Sequence, residues 1–129
     1  MYKVLLVGVG GFIGASLRYL SSTFVNSWMS HETFPYGTLF VNLIGCLILG
    51  FGLTFANQSG YFSENTKLLL FTGLLGGFTT YSTFSAESFH LLKGGMFPTG
   101  LLNMGTHIIL GLVAVWIGYL IAAKIKYVF

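Results

Sequence analysis

Charge is what this sequence lacks most. Only 7% of its 129 residues are Asp, Glu, Lys or Arg, against about a quarter in a soluble domain. So few charges cannot cover a water-facing surface. The formal net charge of +3 is too small and too scattered for a nucleic-acid partner. A single cysteine, Cys46, excludes an internal disulfide, and its apolar surroundings predict core packing. The two prolines, Pro35 and Pro98, fall in connections rather than in apolar runs. Enzyme signatures are missing as well. There is no Walker loop, no H-E-x-x-H, no paired Cys or Asp metal spacing and no G-x-S-x-G. Gly8–Gly11 reads GVGG, but no strand precedes it and it lies inside an apolar helix. The carboxylates are dispersed, two of them in connections. These absences argue against an enzyme.

What is present is apolar. Hydrophobic residues make up 54% of the chain, and the mean hydropathy is +0.81. The 18 glycines accompany abundant Leu, Ile, Val and Phe, which fits close helix–helix contact in lipid rather than disorder. Apolar runs of about 20 residues mark spanning helices. Four are predicted, at 4–25, 37–56, 67–92 and 99–123, in a single domain covering 1–129. The connections carry turn-formers: His31, Glu32 and Pro35 in the first, Gly60 in the second, Gly94, Gly95 and Pro98 in the third. Lys3 before an apolar stretch resembles a signal peptide, but no small-x-small cleavage site follows. A retained first helix is expected.

With both termini cytoplasmic, Lys3, Lys67, Lys124 and Lys126 lie inside and Lys93 outside, a modest positive-inside bias. Lys124 and Lys126 are expected at the membrane surface. Four short helices can hardly enclose a water-filled path alone. A transport role therefore implies an oligomer, most simply a two-fold dimer.

The third apolar run is the most informative. Gly73–Glu87 reads GLLGGFTTYSTFSAE, with glycines and hydroxyls that are poor helix formers. A helix break is expected over 76–80. Backbone unpaired at membrane depth costs roughly several kcal/mol per group, so it survives only when buried in protein or lining a solute path. Carbonyls freed by a break can hold a small cation, while N–H groups and hydroxyls suit an anion. The alternative is a continuous, glycine-packed helix whose hydroxyls bond back to the preceding turn. Tyr81 and Phe84 share a face, with Ser82, Thr83 and Ser85 beside them. The rings are either core packing or positive edges turned toward a poorly hydrated anion. Glu87 is the only carboxylate inside a predicted span, and its cost there places it near a vestibule.

Other spans carry further polar groups. Gly10, Gly14 and Arg18 recur along the first. Arg18 either snorkels to the interface, supplies positive charge to a pore vestibule, or pairs with Glu87. Thr38 and Asn42 share a face of the second. Asn42 either bonds a neighbouring helix or aims its amide N–H at an anion. In the fourth, Asn103 and His107 either extend a polar line, with Thr106 beside them, or make a helix–helix hydrogen bond.

GGFIGASLRY (Gly10–Tyr19), PYGTLFVNLIG (Pro35–Gly45) and the third-run motif together resemble the CrcB/Fluc family of fluoride channels. The resemblance covers essentially the whole chain. It implies a multi-pass protein of the bacterial plasma (inner) membrane, forming an antiparallel, dual-topology homodimer with two fluoride pathways. Such proteins export fluoride passively. The resemblance further implies a structural, untransported Na+ held by the carbonyls of Gly76 and Thr79 from both subunits. Tyr81 and Phe84 would form the aromatic box, Asn42 would donate to fluoride, and Ser82 and Thr83 would line the polar track. The family usually has Phe where this chain has Tyr81, so the ring edge is kept and a hydroxyl added. Fluoride is strongly hydrated, and a selective path must replace its water with close donors. Two rival readings remain. A small drug/proton antiporter needs a carboxylate in its first helix, and this chain has none there. A non-transporting assembly subunit would not need the hydroxyl and glycine cluster.

Overall fold

Helix α1 spans Tyr2–Trp28 and α2 spans Tyr36–Ser59. The third apolar segment begins as α3 (Glu64–Lys67), winds into a π-helix (Leu68–Leu75) and continues as α4 (Gly76–Phe78). Thr79 and Thr80 are extended, and α5 (Tyr81–Lys93) then resumes the path. Helix α6 covers Phe97–Ile125. The computed structural model describes residues 1–29 and 33–125, all helix and connection. His31, Glu32 and Lys126 lie outside the described residues.

Three helices, α1, α2 and α6, are long and apolar enough to cross a membrane. The third run is interrupted, so none of its pieces reaches that length. Every helical path runs one to three residues past the ends expected from hydropathy. Ser63 accepts the Thr66 N–H at 3.1 Å and starts α3. Gly60, at φ 67°, closes α2 in the left-handed conformation that glycine adopts at little cost.

The interruption is narrower than the sequence suggests. Gly76 and Gly77 stay helical, and only Thr79 and Thr80 leave the helix. Glycine serves packing here. A Cβ on Gly77 would sit 2.6 Å from the Gly11 carbonyl oxygen, and one on Gly14 would run into the Leu74 carbonyl. The third segment therefore approaches α1 backbone to backbone, as small residues allow in lipid. Helices α2 and α6 cross in the same way, Gly50 against the Val115 carbonyl and Gly118 against the Leu47 carbonyl. Helix α5 rests on α6. The π-helix is unusually long for a conformation that is mostly a single-turn bulge, and it lies directly before the interruption.

Lys3 Nζ meets Glu64 Oε1 at 2.6 Å, and Lys67 Nζ donates to Asn57 Oδ1 at 3.0 Å. These contacts place the start of α1, the end of α2 and the start of the third segment at one end of the molecule. The Lys3 hydrogen bond, then its charge, hold the Glu64 carboxyl below the usual carboxylate range. Both side chains are exposed, so the pair fixes position more than stability. Outward faces carry exposed Phe12, Leu20 and Phe24 from α1 and Leu101, Ile109 and Trp116 from α6. Such surfaces are at home in lipid.

Candidate functional site

Breaking a helix strands backbone groups, and each one at this break has an identifiable fate. In a continuous helix the Thr80 N–H would bond the Gly76 carbonyl. Instead it donates to Asn42 Oδ1 at 2.8 Å, and Asn42 Nδ2 donates to the Thr80 carbonyl at 3.0 Å. One side chain on α2 thus closes a two-bond brace on Thr80. The Thr83 N–H donates to Thr80 Oγ1 at 3.2 Å, so Thr80 also N-caps α5. The Thr79 N–H and hydroxyl both donate to the Leu75 carbonyl at 3.0 Å. Arg18 Nε, half-buried on α1, donates to the Gly77 carbonyl at 3.1 Å. The guanidinium thereby brings positive charge to the C-terminal end of the first half-helix, where the dipole favours it.

The carbonyls of Gly76 and Thr79 are left over. Their helical donors, the Thr80 and Thr83 N–H groups, are turned to Asn42 and Thr80. Among the described residues no group of three His, Cys, Asp or Glu could hold a metal. Neutral backbone oxygens are the ligands on offer, and these suit a small hard cation. The residues present therefore fit the sodium ion that the family resemblance implies, and these two carbonyls are the groups of this chain that would hold it. Such an ion would supply a fixed positive charge there.

Next to the interruption lies a cavity of about 340 Å³, lined by Asn42, Thr79, Thr80, Tyr81, Phe84 and His107 among others. The Cys46 thiol also borders it. The Tyr81 and Phe84 rings stand 5.6 Å apart, tilted by 59°. Phe84 is buried, whereas Tyr81 is 80% exposed and projects away from its own chain. Ser82 is exposed on the same turn, and Thr83 is half-buried with its hydroxyl 3.0 Å from Thr80 Oγ1.

Midway along α5 a second polar group forms. The Thr38 hydroxyl donates to Glu87 Oε1 at 2.6 Å. Arg18 and Glu87 thus each take another partner, and the pairing open to them from sequence is not formed. Asn103, fully buried, donates from Nδ2 to Ser88 Oγ at 2.9 Å, a bond between α6 and α5. His107 Nδ1 lies 2.9 Å from the Asn103 carbonyl, and its ring stands 4.4 Å from that of Phe84. The structure therefore gathers the sequence candidates into two neighbouring groups. Asn42, Thr79 and Arg18 serve the break; Thr38 of α2 meets Glu87 of α5, and Asn103 and His107 of α6 lie against α5. Two contributors were not singled out from sequence. Ser88 shows only as one more hydroxyl in a hydroxyl-rich helix. Asn26, which accepts the Gly37 N–H at 2.9 Å and so holds the start of α2, sits in a stretch without any distinguishing motif.

Comparison with known proteins identifies the family. Residues 5–119 match the family model described as CrcB-like protein, Camphor Resistance (CrcB). The chain is 44% identical over 125 residues to "Fluoride-specific ion channel FluC 1" of Methanosarcina acetivorans, covering 97% of this chain and 94% of the relative. It is 47% identical over 118 residues to "Fluoride-specific ion channel FluC" of Campylobacter lari, covering 92% and 95%. A protein of the same name from Clostridium perfringens is 45% identical over 118 residues, covering 92% and 91%. On motif, helix pattern and similarity along nearly its whole length, this chain belongs to the CrcB-like family.

Proposed function

We propose that this chain is a passive, fluoride-selective channel that lowers the fluoride concentration of the cytoplasm, and not an enzyme. The observation that carries the reading is the Thr79–Thr80 interruption, braced by Asn42 and facing the cavity beside Tyr81 and Phe84. A helix opened at membrane depth is either buried in protein or lines a solute path, and this one borders a cavity. The relatives' names supply that solute, fluoride.

In this reading each subunit crosses the membrane four times, the broken segment forming the third span. Two copies assemble antiparallel, inserted in both orientations. The strongly exposed Tyr81 and the exposed Gly76 support a second copy over this face. One chain offers two free carbonyls, and hard cations take more oxygens than that. Gly76 and Thr79 from both copies would complete the shell around a resident, untransported Na+. Asn42 commits one Nδ2 hydrogen to the Thr80 carbonyl and keeps the other for fluoride. Ser82 and Thr83 offer hydroxyl donors along the track. The edges of Tyr81 and Phe84 attract the ion weakly enough to let it leave. The drug/proton antiporter reading is disfavoured, because the one carboxylate of the spans lies on α5 and is bonded to Thr38.

Growth measures the physiological claim. Expressing the chain in a bacterium that lacks its own fluoride exporter is expected to restore growth on fluoride-containing medium. Unchanged sensitivity, with the protein present in the membrane, would contradict export. The cation has its own test. Purified protein dialysed from sodium into a large organic cation is expected to lose fluoride conduction and regain it when sodium returns. Full activity after prolonged sodium-free exchange would argue against a cation at Gly76 and Thr79.

A further inference from the structure

The Thr38–Glu87–His107 group has a property that an anion path does not call for. Among the described residues, three of its buried side-chain atoms lack a hydrogen-bond partner: Glu87 Oε2, Asn103 Oδ1 and His107 Nε2. Their chemistry is the same. Asn103 spends an Nδ2 hydrogen on Ser88, so its remaining atom is an acceptor. His107 Nδ1 faces a backbone carbonyl, which only accepts, so Nδ1 carries the hydrogen and donates. In the neutral ring, Nε2 is then a bare lone pair. Glu87 Oε1 accepts from Thr38, and a carboxylate Oε2 is an acceptor too. Fluoride brought here would be a fourth acceptor among three. None of these three atoms donates to it.

A proton resolves the mismatch. Bound at Nε2, it turns an acceptor into a charged donor while Nδ1–H keeps its bond to the Asn103 carbonyl. The His107 ring borders the cavity and lies 4.4 Å from the Phe84 ring, tilted by 33°, while the Thr38 backbone faces it from α2. Histidine is the side chain whose ordinary protonation lies nearest physiological pH. We propose that His107 Nε2 takes a proton from solution when fluoride occupies this part of the path, so that His107 tunes fluoride occupancy to pH. The proposal rests on the fluoride-conduction reading. Other titratable or charged groups of the packed elements are Glu87 and Tyr81 on α5 and Cys46 on α2, with Arg18 reaching the break from α1. Of these, Glu87 is the competing proton site. Linkage is reciprocal: if fluoride favours the protonated ring, protons favour fluoride.

The test is fluoride efflux from liposomes bearing the full chain, at fluoride below saturation, with protein-free liposomes at each pH to subtract neutral HF. Initial flux is expected to rise by about threefold or more between about pH 7.5 and about pH 5.5. His107→Gln, which offers a fixed N–H and does not titrate, is expected to give a flat profile at whatever absolute rate it conducts. Glu87→Gln is expected to keep the rise. A flat wild-type profile overturns the proposal while leaving conduction intact. So does a rise that survives in His107→Gln or vanishes in Glu87→Gln, which would move the proton to Glu87. No efflux at any pH overturns the conduction reading and this proposal with it.

Discussion

Asn42→Leu is expected to abolish fluoride efflux and to lower stability by about 2–4 kcal/mol, because two backbone groups lose their partners at about 1–3 kcal/mol each and Thr80 is only half-buried. Leucine matches asparagine in shape but offers neither the acceptor for the Thr80 N–H nor the donor for its carbonyl. The stranded pair could recover only by letting the chain rewind into a helix through 79–80. That rewinding would return the Gly76 and Thr79 carbonyls to helical donors and so remove the cation ligands. Thermal unfolding in detergent measures the first loss and liposome flux the second. Asn42→Asp separates the two roles. Its carboxylate still accepts from the Thr80 N–H but repels the Thr80 carbonyl and any passing anion, so flux is expected to fall far more than stability. Full flux in both variants would place Asn42 outside the pathway and make the brace dispensable.

Gly14→Val is expected to prevent assembly of the fold altogether. Its Cβ would run into the Leu74 backbone carbonyl, which cannot rotate away as a side chain can. Overpacking a core typically costs about 1–3 kcal/mol, and a backbone collision at a helix crossing belongs at or above the upper end. The same crossing involves Gly10, Gly73 and Gly77, so relief at Gly14 would displace the third segment that carries the break. Gly8 on the same helix is the control. Nothing lies within 4 Å of a Cβ there, so Gly8→Ala is expected to be neutral or to stabilise by about 0.5–1 kcal/mol. Yield of monodisperse protein after detergent extraction distinguishes the two. Normal yield and unfolding for Gly14→Val would mean that α1 and the third segment are not packed as closely as described.

The contrast between these glycines marks the limit of what the sequence reveals. Apolar runs announce spanning helices without help from the rest of the chain, and α1, α2 and α6 lie where hydropathy puts them. That the third run breaks is legible too, since glycines and threonines together make a weak helix. Where it breaks is not. Gly76 and Gly77 look like the weak point, but Gly77 is used to approach α1, and helix continues through both. The chain leaves the helix at Thr79 and Thr80 because Asn42, 38 residues earlier, offers Thr80 both a donor and an acceptor. A partner that distant leaves no mark in local propensity. Arg18 illustrates the same point. Its charge suggests a carboxylate, and Glu87 is the one inside the spans, yet Arg18 bonds the Gly77 carbonyl beside the break. Asn103 and His107 were each open to two readings from sequence. Asn103 makes the helix–helix bond, to Ser88, while His107 turns Nδ1 to its own helix backbone and leaves Nε2 buried without a side-chain partner.

The central claim is that this opened helix passes fluoride and excludes other halides. It is tested most directly by loading liposomes with potassium fluoride and potassium chloride, adding a potassium ionophore, and following both anions in the same sample. Rapid, complete release of fluoride from protein-bearing liposomes, with chloride retained, is the result predicted. Release of neither anion, or of both at equal rates, would contradict it.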